Sequence, residues 1–367
     1  MLLSKYLIRF DKQLHLRLFY AFIDFILFPL SLFNRKTENI EKILVIRKDE
    51  IGDMILSTPM YRAIKIAYPS SKLIVVSGKP SAQIIKKNPY VNEVIEIDSI
   101  KNGKSFLKDY FRLIREIRKR RIDLAFDPKG SILNILLMYL SGVKRRVSYW
   151  NISGGKYLLT NPVYYDKQVN ESEAGINLIR KIGKNATNTI PRVFTDKGDI
   201  SEANRVMKKL PKDYVCIYMT PTSKYKTWPE SNWKKLFENF KKTNFVILCR
   251  DSEKETLKKF ERKNVSFLSM DNLRALGIVI SKAKAVVAVD GGIMHLSWCS
   301  NPKTISLFGQ NDITLWEPMQ GSVISHYPKE KQGLNREVLE LDKENRYMKM
   351  ITVTEVSDKL REFIKNK

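Results

Sequence analysis

Several short loops in this 367-residue chain carry residue types that handle phosphates and protons. One is Val289-Asp290-Gly291-Gly292-Ile293-Met294-His295, which follows the apolar run Ala285-Val286-Val287-Ala288 and opens an apolar segment containing Leu296 and Trp298. It reads as strand, glycine turn, helix. Two glycines let a ligand approach the backbone closely, and the first N–H groups of the helix favour an anion such as a pyrophosphate. The same turn also serves plain geometry in α/β proteins that bind nothing there, so its neighbours decide.

The loop after Ile43–Ile46 runs Arg47-Lys48-Asp49-Glu50-Ile51-Gly52-Asp53-Met54. Asp53 stands at a helix N-cap or first turn, where a carboxylate either satisfies orphan N–H groups or, directly after Gly52, takes a proton from an incoming hydroxyl. The loop after Tyr214–Met219 offers Thr220, Ser223, Lys224 and Lys226, hydroxyls and cations suited to phosphate oxygens. Trp228-Pro229-Glu230 beside them is also a plain helix start. After Phe245–Leu248 comes Cys249-Arg250-Asp251-Ser252-Glu253, where an acidic residue can accept a ribose hydroxyl or simply begin a helix. After Thr304–Phe308, the run from Gly309 to Pro318 has polar side chains that would line a sugar or base pocket.

These loops need a scaffold. From Lys42 onward short β-branched runs alternate with amphipathic stretches: Ile43–Ile46, Leu73–Val76, Val94–Ile97, Leu124–Phe126 and Val147–Tyr149, then Tyr214–Met219, Phe245–Leu248, Val265–Leu268, Ala285–Val289 and Thr304–Phe308. That alternation predicts an α/β protein of two Rossmann-like doubly wound domains, residues 41–195 and 196–367, facing a central cleft. A helical pattern over Ala174–Ile182 and a polar stretch around Asn185–Asp196 form the linker region.

Lys+Arg 65 against Asp+Glu 39 leaves a net charge of +26, which draws the chain to polyanions: nucleic acid, an anionic membrane or an acidic substrate. Part of the surplus lies in Phe111–Arg121, which equally reads as a solvated basic helix face. Zinc-type spacing and aromatic-basic interleaving of the RNA-binding kind are absent from the sequence. Cys216, Cys249 and Cys299 lie in or beside apolar runs, which suits reduced thiols in a reducing compartment. Residues 1–40 form a basic and apolar amino-terminal segment with no signal-peptide cleavage pattern. Its stretch Leu18–Phe33 is short for a spanning helix and interrupted by Asp24 and Pro29. An in-plane anchor fits better, with Lys5, Arg9, Lys12, Arg17, Arg35 and Lys36 meeting anionic head groups; the alternative is a helix packed on the protein's own surface.

Arg47…Gly52-Asp53-Met54…Pro59, Lys226-Thr227-Trp228-Pro229-Glu230, Asp290-Gly291-Gly292-Ile293-Met294-His295-Leu296, Leu307-Phe308-Gly309 and Trp316-Glu317-Pro318, in that order, resemble the ADP-heptose:lipopolysaccharide heptosyltransferases of glycosyltransferase family 9. The resemblance spans residues 41 to 365, including a tail at Met348…Ile351-Thr352…Glu355-Val356. It implies a GT-B fold and an inverting glycosyltransferase without metal or other cofactor, with a nucleotide-sugar donor, ADP-heptose, as substrate. It further implies that Asp53 is the catalytic base and that Lys226 contacts the diphosphate. Glu253 would hold the ribose and Asp290 the donor sugar, with Gly291 and Gly292 giving backbone N–H groups to the pyrophosphate. The hydroxyls of Thr220 and Ser223, read above as suited to phosphate, join this donor-binding set; His295, lying on the helix, either joins it or only packs. Thr227, Tyr347 and Arg250 depart from the histidine, cysteine and glycine usual at those positions.

The expected protein is therefore a cytoplasmic glycosyltransferase of the bacterial cell envelope, peripheral on the anionic inner-membrane surface. Its acceptor would be a lipid-linked glycan such as the lipopolysaccharide core. The competing reading is a basic α/β protein that binds nucleic acid without catalysis, although nucleic acid is not an expected partner under the first. A nucleotide-dependent oxidoreductase is disfavoured because no complete Gly-x-Gly-x-x-Gly follows a predicted strand.

Overall fold

Strands that are apolar on nearly every residue are buried on both faces, as parallel sheets covered by helices require. In the computed structural model, which describes residues 18–22, 24–29, 39–98, 106–166, 169–311, 313–328 and 344–365, these runs build two six-stranded sheets. The first contains β1 (Lys42–Arg47), β2 (Lys72–Gly78), β3 (Glu93–Ile97), β4 (Leu124–Asp127), β5 (Arg145–Tyr149) and β6 (Asn161–Val163), in the order β3-β2-β1-β4-β5-β6. The second contains β7 (Tyr214–Tyr218), β8 (Asn244–Leu248), β9 (Val265–Leu268), β10 (Ala285–Val289), β11 (Thr304–Phe308) and β12 (Ser322–Ser325), in the order β12-β11-β10-β7-β8-β9. Every pairing is parallel. Both sheets thus have the doubly wound strand order, which reverses between β1 and β4 and again between β7 and β10.

The sequence reading lacks β6 and β12. Both are short edge strands, one holding Pro162 and the other serine at both ends, so neither has the continuous apolar run of a central strand.

Residues 18–22 and 24–27 are helical (together α1). The helices that follow in the first half are α2 (Ile51–Leu56), α3 (Thr58–Ala67), α4 (Lys79–Ile85), α5 (Phe106–Arg120), α6 (Ile132–Leu140) and α7 (Glu171–Arg180). The second half has α8 (Lys197–Met207), α9 (Glu230–Asn239), α10 (Lys254–Leu257), α11 (Leu273–Ser281), α12 (Gly292–Ser300), α13 (Ile313–Trp316), α14 (Arg346–Met350) and α15 (Val353–Lys365).

The chain folds into two compact units: one contains the chain to Asp49, Pro59–Ala82 and Pro89–Thr189, the other Glu50–Thr58, Gln83–Asn88 and Ile190 onward. Two short segments of the first half therefore pack with the second unit. One is held by Arg274, whose guanidinium makes two 2.9 Å bonds to the buried Asp199 carboxylate and donates to the Gln83 carbonyl at 2.6 Å. Within the second unit an aromatic core of Trp228, Trp233, Phe237 and Phe245 joins α9 to the sheet, and Ile351, Val356 and Leu360 add the carboxyl-terminal tail.

In the first unit Asp24 of α1 accepts hydrogen bonds from the Gly155 and Lys156 N–H groups at 2.8 and 2.9 Å, capping the 3-10 turn Lys156–Leu158. Phe28 meets Tyr157 edge-on at 5.1 Å between ring centroids. The side of α1 bearing Leu18, Phe19, Phe22, Phe25 and Ile26 is exposed. The flanking cations Lys5, Arg9, Lys12, Arg17, Arg35 and Lys36, and residues 30–33 of the apolar stretch, lie outside the described residues, as does Asp312. Among the described residues no helix is long and apolar enough to cross a membrane.

Candidate active site

The carboxyl ends of β7 and β10, neighbours at the reversal of the second sheet, project the two loops richest in candidate residues. Ligands of open α/β sheets sit at such a point. After β7, a 3-10 turn at Lys224–Lys226 presents Lys226, whose Nζ lies 3.1 Å from Asp290 Oδ2. Asp290 ends β10 almost fully buried, and the Asn311 side-chain amide donates to the same oxygen. The turn carrying Lys226 is fixed from behind: Trp228 Nε1 donates to the Ile351 carbonyl at 2.9 Å, and Asn345 Nδ2 donates to the Thr227 carbonyl. Gly309 makes this possible, since a Cβ there would meet Met348 Cγ at 2.7 Å and the Tyr225 carbonyl at 3.1 Å.

α12 starts at Gly292, two residues after Asp290, with Gly291 as its N-cap, so its first N–H groups stand at the same sheet end. Its start lies against α2. A Cβ on Gly292 would be 3.0 Å from Ile51 Cβ and 3.3 Å from Gly52 N, while one on Gly52 would reach His295 Cδ2 at 2.8 Å. The glycines in both loops therefore permit a close approach between two helix starts. Asp53 occupies the first turn of α2, with Glu50, not Asp53, at the N-cap. Its charge and that of Asp290 both act on His295.

His295 is 3 % exposed, and its Nδ1 accepts from Trp298 Nε1 at 3.1 Å. That bond places the proton of the neutral ring on Nε2. Burial drives its pKa down to about 4, against the opposing pull of Asp290 and Asp53, so the ring is neutral at physiological pH.

Glu253 sits at the carboxyl end of β8, the neighbour of β7. Its Oε2 accepts from Thr220 Oγ1 at 3.1 Å and from Arg250 N at 2.8 Å, and its Oε1 accepts from Arg250 Nε at 3.0 Å. Burial raises its pKa, but these donors outweigh burial and hold the carboxyl below its usual range. Ser223 precedes the Lys226 turn, its carbonyl accepting from Lys226 N at 3.1 Å. The second unit thus gathers Asp53, Thr220, Ser223, Lys226, Glu253, Asp290, Gly291, Gly292 and His295, all of the sequence-predicted site residues, on segments at the carboxyl ends of its strands or packed against them.

Two residues of the second unit beside the site, Tyr218 and Trp298, were not singled out in the sequence. Tyr218 ends β7, and its hydroxyl would be 3.5 Å from a Cβ on Gly291; burial, with the charges of Glu253 and Asp290, pushes its pKa up to about 12 and keeps it a donor. Trp298 reads in sequence as an ordinary apolar residue. In the first unit, fully buried Asp127 ends β4 beside β1 and accepts from Asn134 Nδ2, Ser148 Oγ and the Ser131 and Lys129 N–H groups. Lys48 stands near it, half-buried, its pKa lowered by desolvation despite the charges of Asp127 and Asp49. Cys216, Cys249 and Cys299 are free thiols.

Residues 110–342 match the sequence profile of glycosyltransferase family 9 (heptosyltransferase). Lipopolysaccharide heptosyltransferase 3 of Escherichia coli K12 is 24% identical over 331 residues, covering 83% of this chain and 93% of that protein. Among solved structures, a glycosyl transferase family 9 protein from Veillonella parvula superposes with a TM-score of 0.76 at 17% identity, covering 91% of this chain and 100% of its own. The Escherichia coli heptosyltransferase WaaC with ADP-2-deoxy-2-fluoro heptose gives a TM-score of 0.66 at 18% identity, covering 88% and 99%. The fold class is the α/β GT-B fold of these structures.

Proposed function

The chain belongs to glycosyltransferase family 9, the heptosyltransferases, and from that premise we propose that it transfers heptose from ADP-heptose to a lipid-linked glycan such as the lipopolysaccharide core, inverting the anomeric centre. The donor assignment draws on the likeness to the heptosyltransferase seen with an ADP-heptose analogue. Residues 41–195 serve as the acceptor domain and 196–367 as the nucleotide-sugar domain. The protein works on the cytoplasmic face of the inner membrane, whose anionic surface suits its charge of +26.

In this reading the Asp53 carboxylate takes the proton of the acceptor hydroxyl as that oxygen bonds to the anomeric carbon. The bond from this carbon to the diphosphate breaks on the opposite face, and its electron pair leaves with ADP. The negative charge gathering on the diphosphate meets the N–H groups at the start of α12 and the Lys226 ammonium, which stabilise it without a metal ion. Asp290, braced by Lys226 and Asn311, engages donor sugar hydroxyls. Glu253, oriented by Thr220 and Arg250, takes the ribose.

The observation that carries the reading is the convergence of Lys226, Asp290 and the α12 start at the reversal of the second sheet, with the helix start bearing Asp53 against the same glycine turn. The test is to incubate the purified protein with ADP-heptose and a deacylated core glycan, following ADP release and the anomeric configuration of the product by NMR. Inverted product supports the reading; retention of configuration, or no transfer with ADP-heptose, contradicts it.

A further inference from the structure

Most of the large apolar residues that stand exposed among the described residues belong to α1, α5, α6 and the turn joining them. These elements cover one face of the first sheet. Leu27 of α1, Phe106 of α5 and Tyr139 of α6 pack against the same core, which includes Leu44, Ile114 and Ile135. They are also joined in series. Asp24 ties α1 to the turn at Gly155, and Gly155, with φ +87°, fits against α6 so closely that a Cβ would lie 2.8 Å from Ile132 Cδ1. α6 is bound to α5 by Tyr110 OH, which donates to the Leu133 carbonyl at 2.6 Å, and by the Arg118 guanidinium, which donates to the Leu140 carbonyl.

The outer side of this assembly is apolar and basic together. Phe25 of α1 is 77% exposed and Leu107 of α5 63%, and Phe111, Leu133 and Leu140 are exposed as well. On α5 the exposed Lys108, Arg112, Arg115 and Lys119 interleave with Leu107 and Phe111. Beside the turn, Lys156 Nζ lies 5.0 Å from the Trp150 ring centroid, a pairing of cation and indole suited to a polar–apolar boundary.

We propose that this composite face of α1, α5 and α6 is the surface by which the protein lies on an anionic phospholipid bilayer. The inference rests on the reading that the acceptor is lipid-linked, and it assigns membrane binding to three helices where the sequence points to the amino-terminal segment alone. A bilayer fits the face because apolar side chains enter the acyl boundary while arginine and lysine meet head-group phosphates. A second copy of the chain fits worse, since it would set one cationic face against another. Asp24, which would oppose burial in lipid, is turned to the protein and holds the apolar side of α1 outward.

The test is flotation of the full-length protein with phosphatidylethanolamine/phosphatidylglycerol vesicles and with phosphatidylcholine vesicles, alongside ADP affinity and turnover on a deacylated, water-soluble acceptor. The wild type binds the anionic vesicles, and added salt weakens that binding. L107S/F111S on α5 and L133S/L140S on α6 each lower vesicle affinity about tenfold. D24A lowers it too, although it removes no apolar group. Soluble turnover and ADP affinity stay at the wild-type level in all three. If the α5 and α6 variants float like the wild type, the composite face is overturned while membrane binding stands. If the wild type floats with neither vesicle, the face is overturned, and turnover on the soluble acceptor still judges the transferase reading separately.

Discussion

Gly52 and His295 stand so close that a single methyl group on Gly52 would come within 2.8 Å of the imidazole Cδ2. This contact brings the start of α2, with Asp53 in its first turn, against α12, which begins at Gly292 just after Asp290 and the N-cap Gly291. Gly52→Ala therefore forces the buried His295 ring or the helix starts to shift. Overpacking of this kind costs about 1–3 kcal/mol, and a small displacement of a catalytic group costs roughly 10²-fold in rate. Thermal melting and turnover of the variant should therefore show a modest loss of stability and a large loss of transfer.

His295 makes stability depend on pH. Its pKa in the folded protein is about 4, set first by burial, with Asp290 and Asp53 raising it and Lys226 lowering it. The unfolded chain binds the proton near pH 6.5, so between these values unfolding takes up a proton. The neutral ring's contribution is complete above pH 6.5 and is lost as pH falls towards 4, by about 3 kcal/mol in all. Urea unfolding across this window should show His295→Gln losing less stability than the wild type as the medium is acidified.

Lys226, its Nζ 3.1 Å from Asp290 Oδ2, is the cation assigned to the proposed diphosphate site. Lys226→Ala should lower turnover by about 10² and weaken ADP binding, because charge grows on the leaving group in the transition state. Steady-state kinetics and calorimetric ADP titration separate the two effects. A larger loss in turnover than in ADP affinity is expected.

Arg274 supports the same unit from a distance. Burial raises the pKa of Asp199, but the guanidinium, with Asn272 and the Asp196 hydrogen bond, holds the carboxyl below its usual range. Arg274→Met leaves a buried carboxylate without its cation and should cost about 3–5 kcal/mol, read from urea unfolding.

The central strands and the Asp290-Gly291-Gly292 turn were legible in the sequence because a strand buried on both faces is a continuous apolar run, and because a strand-to-helix turn near a ligand needs glycine. β6 and β12 lacked that run. The packing of Gly52 against Gly292 was hidden because each glycine, read alone, suits an ordinary turn, and only the fold shows that both are needed for one contact. Trp298 reads as a core residue until its N–H is found on His295 Nδ1. Asp24 reads in sequence as an obstacle to membrane insertion. Its partners are backbone N–H groups 131 and 132 residues away, and no local pattern announces a cap at that range.

Asp53→Asn tests the central claim most directly, because the change keeps the shape of the side chain and removes its basicity. Transfer from ADP-heptose to a deacylated acceptor should fall by about 10²–10⁴ while calorimetric ADP affinity stays within about twofold of the wild type. Turnover close to wild type, with ADP still bound, would contradict the assignment of Asp53 as the base beside a donor site built on Lys226, Asp290 and the start of α12.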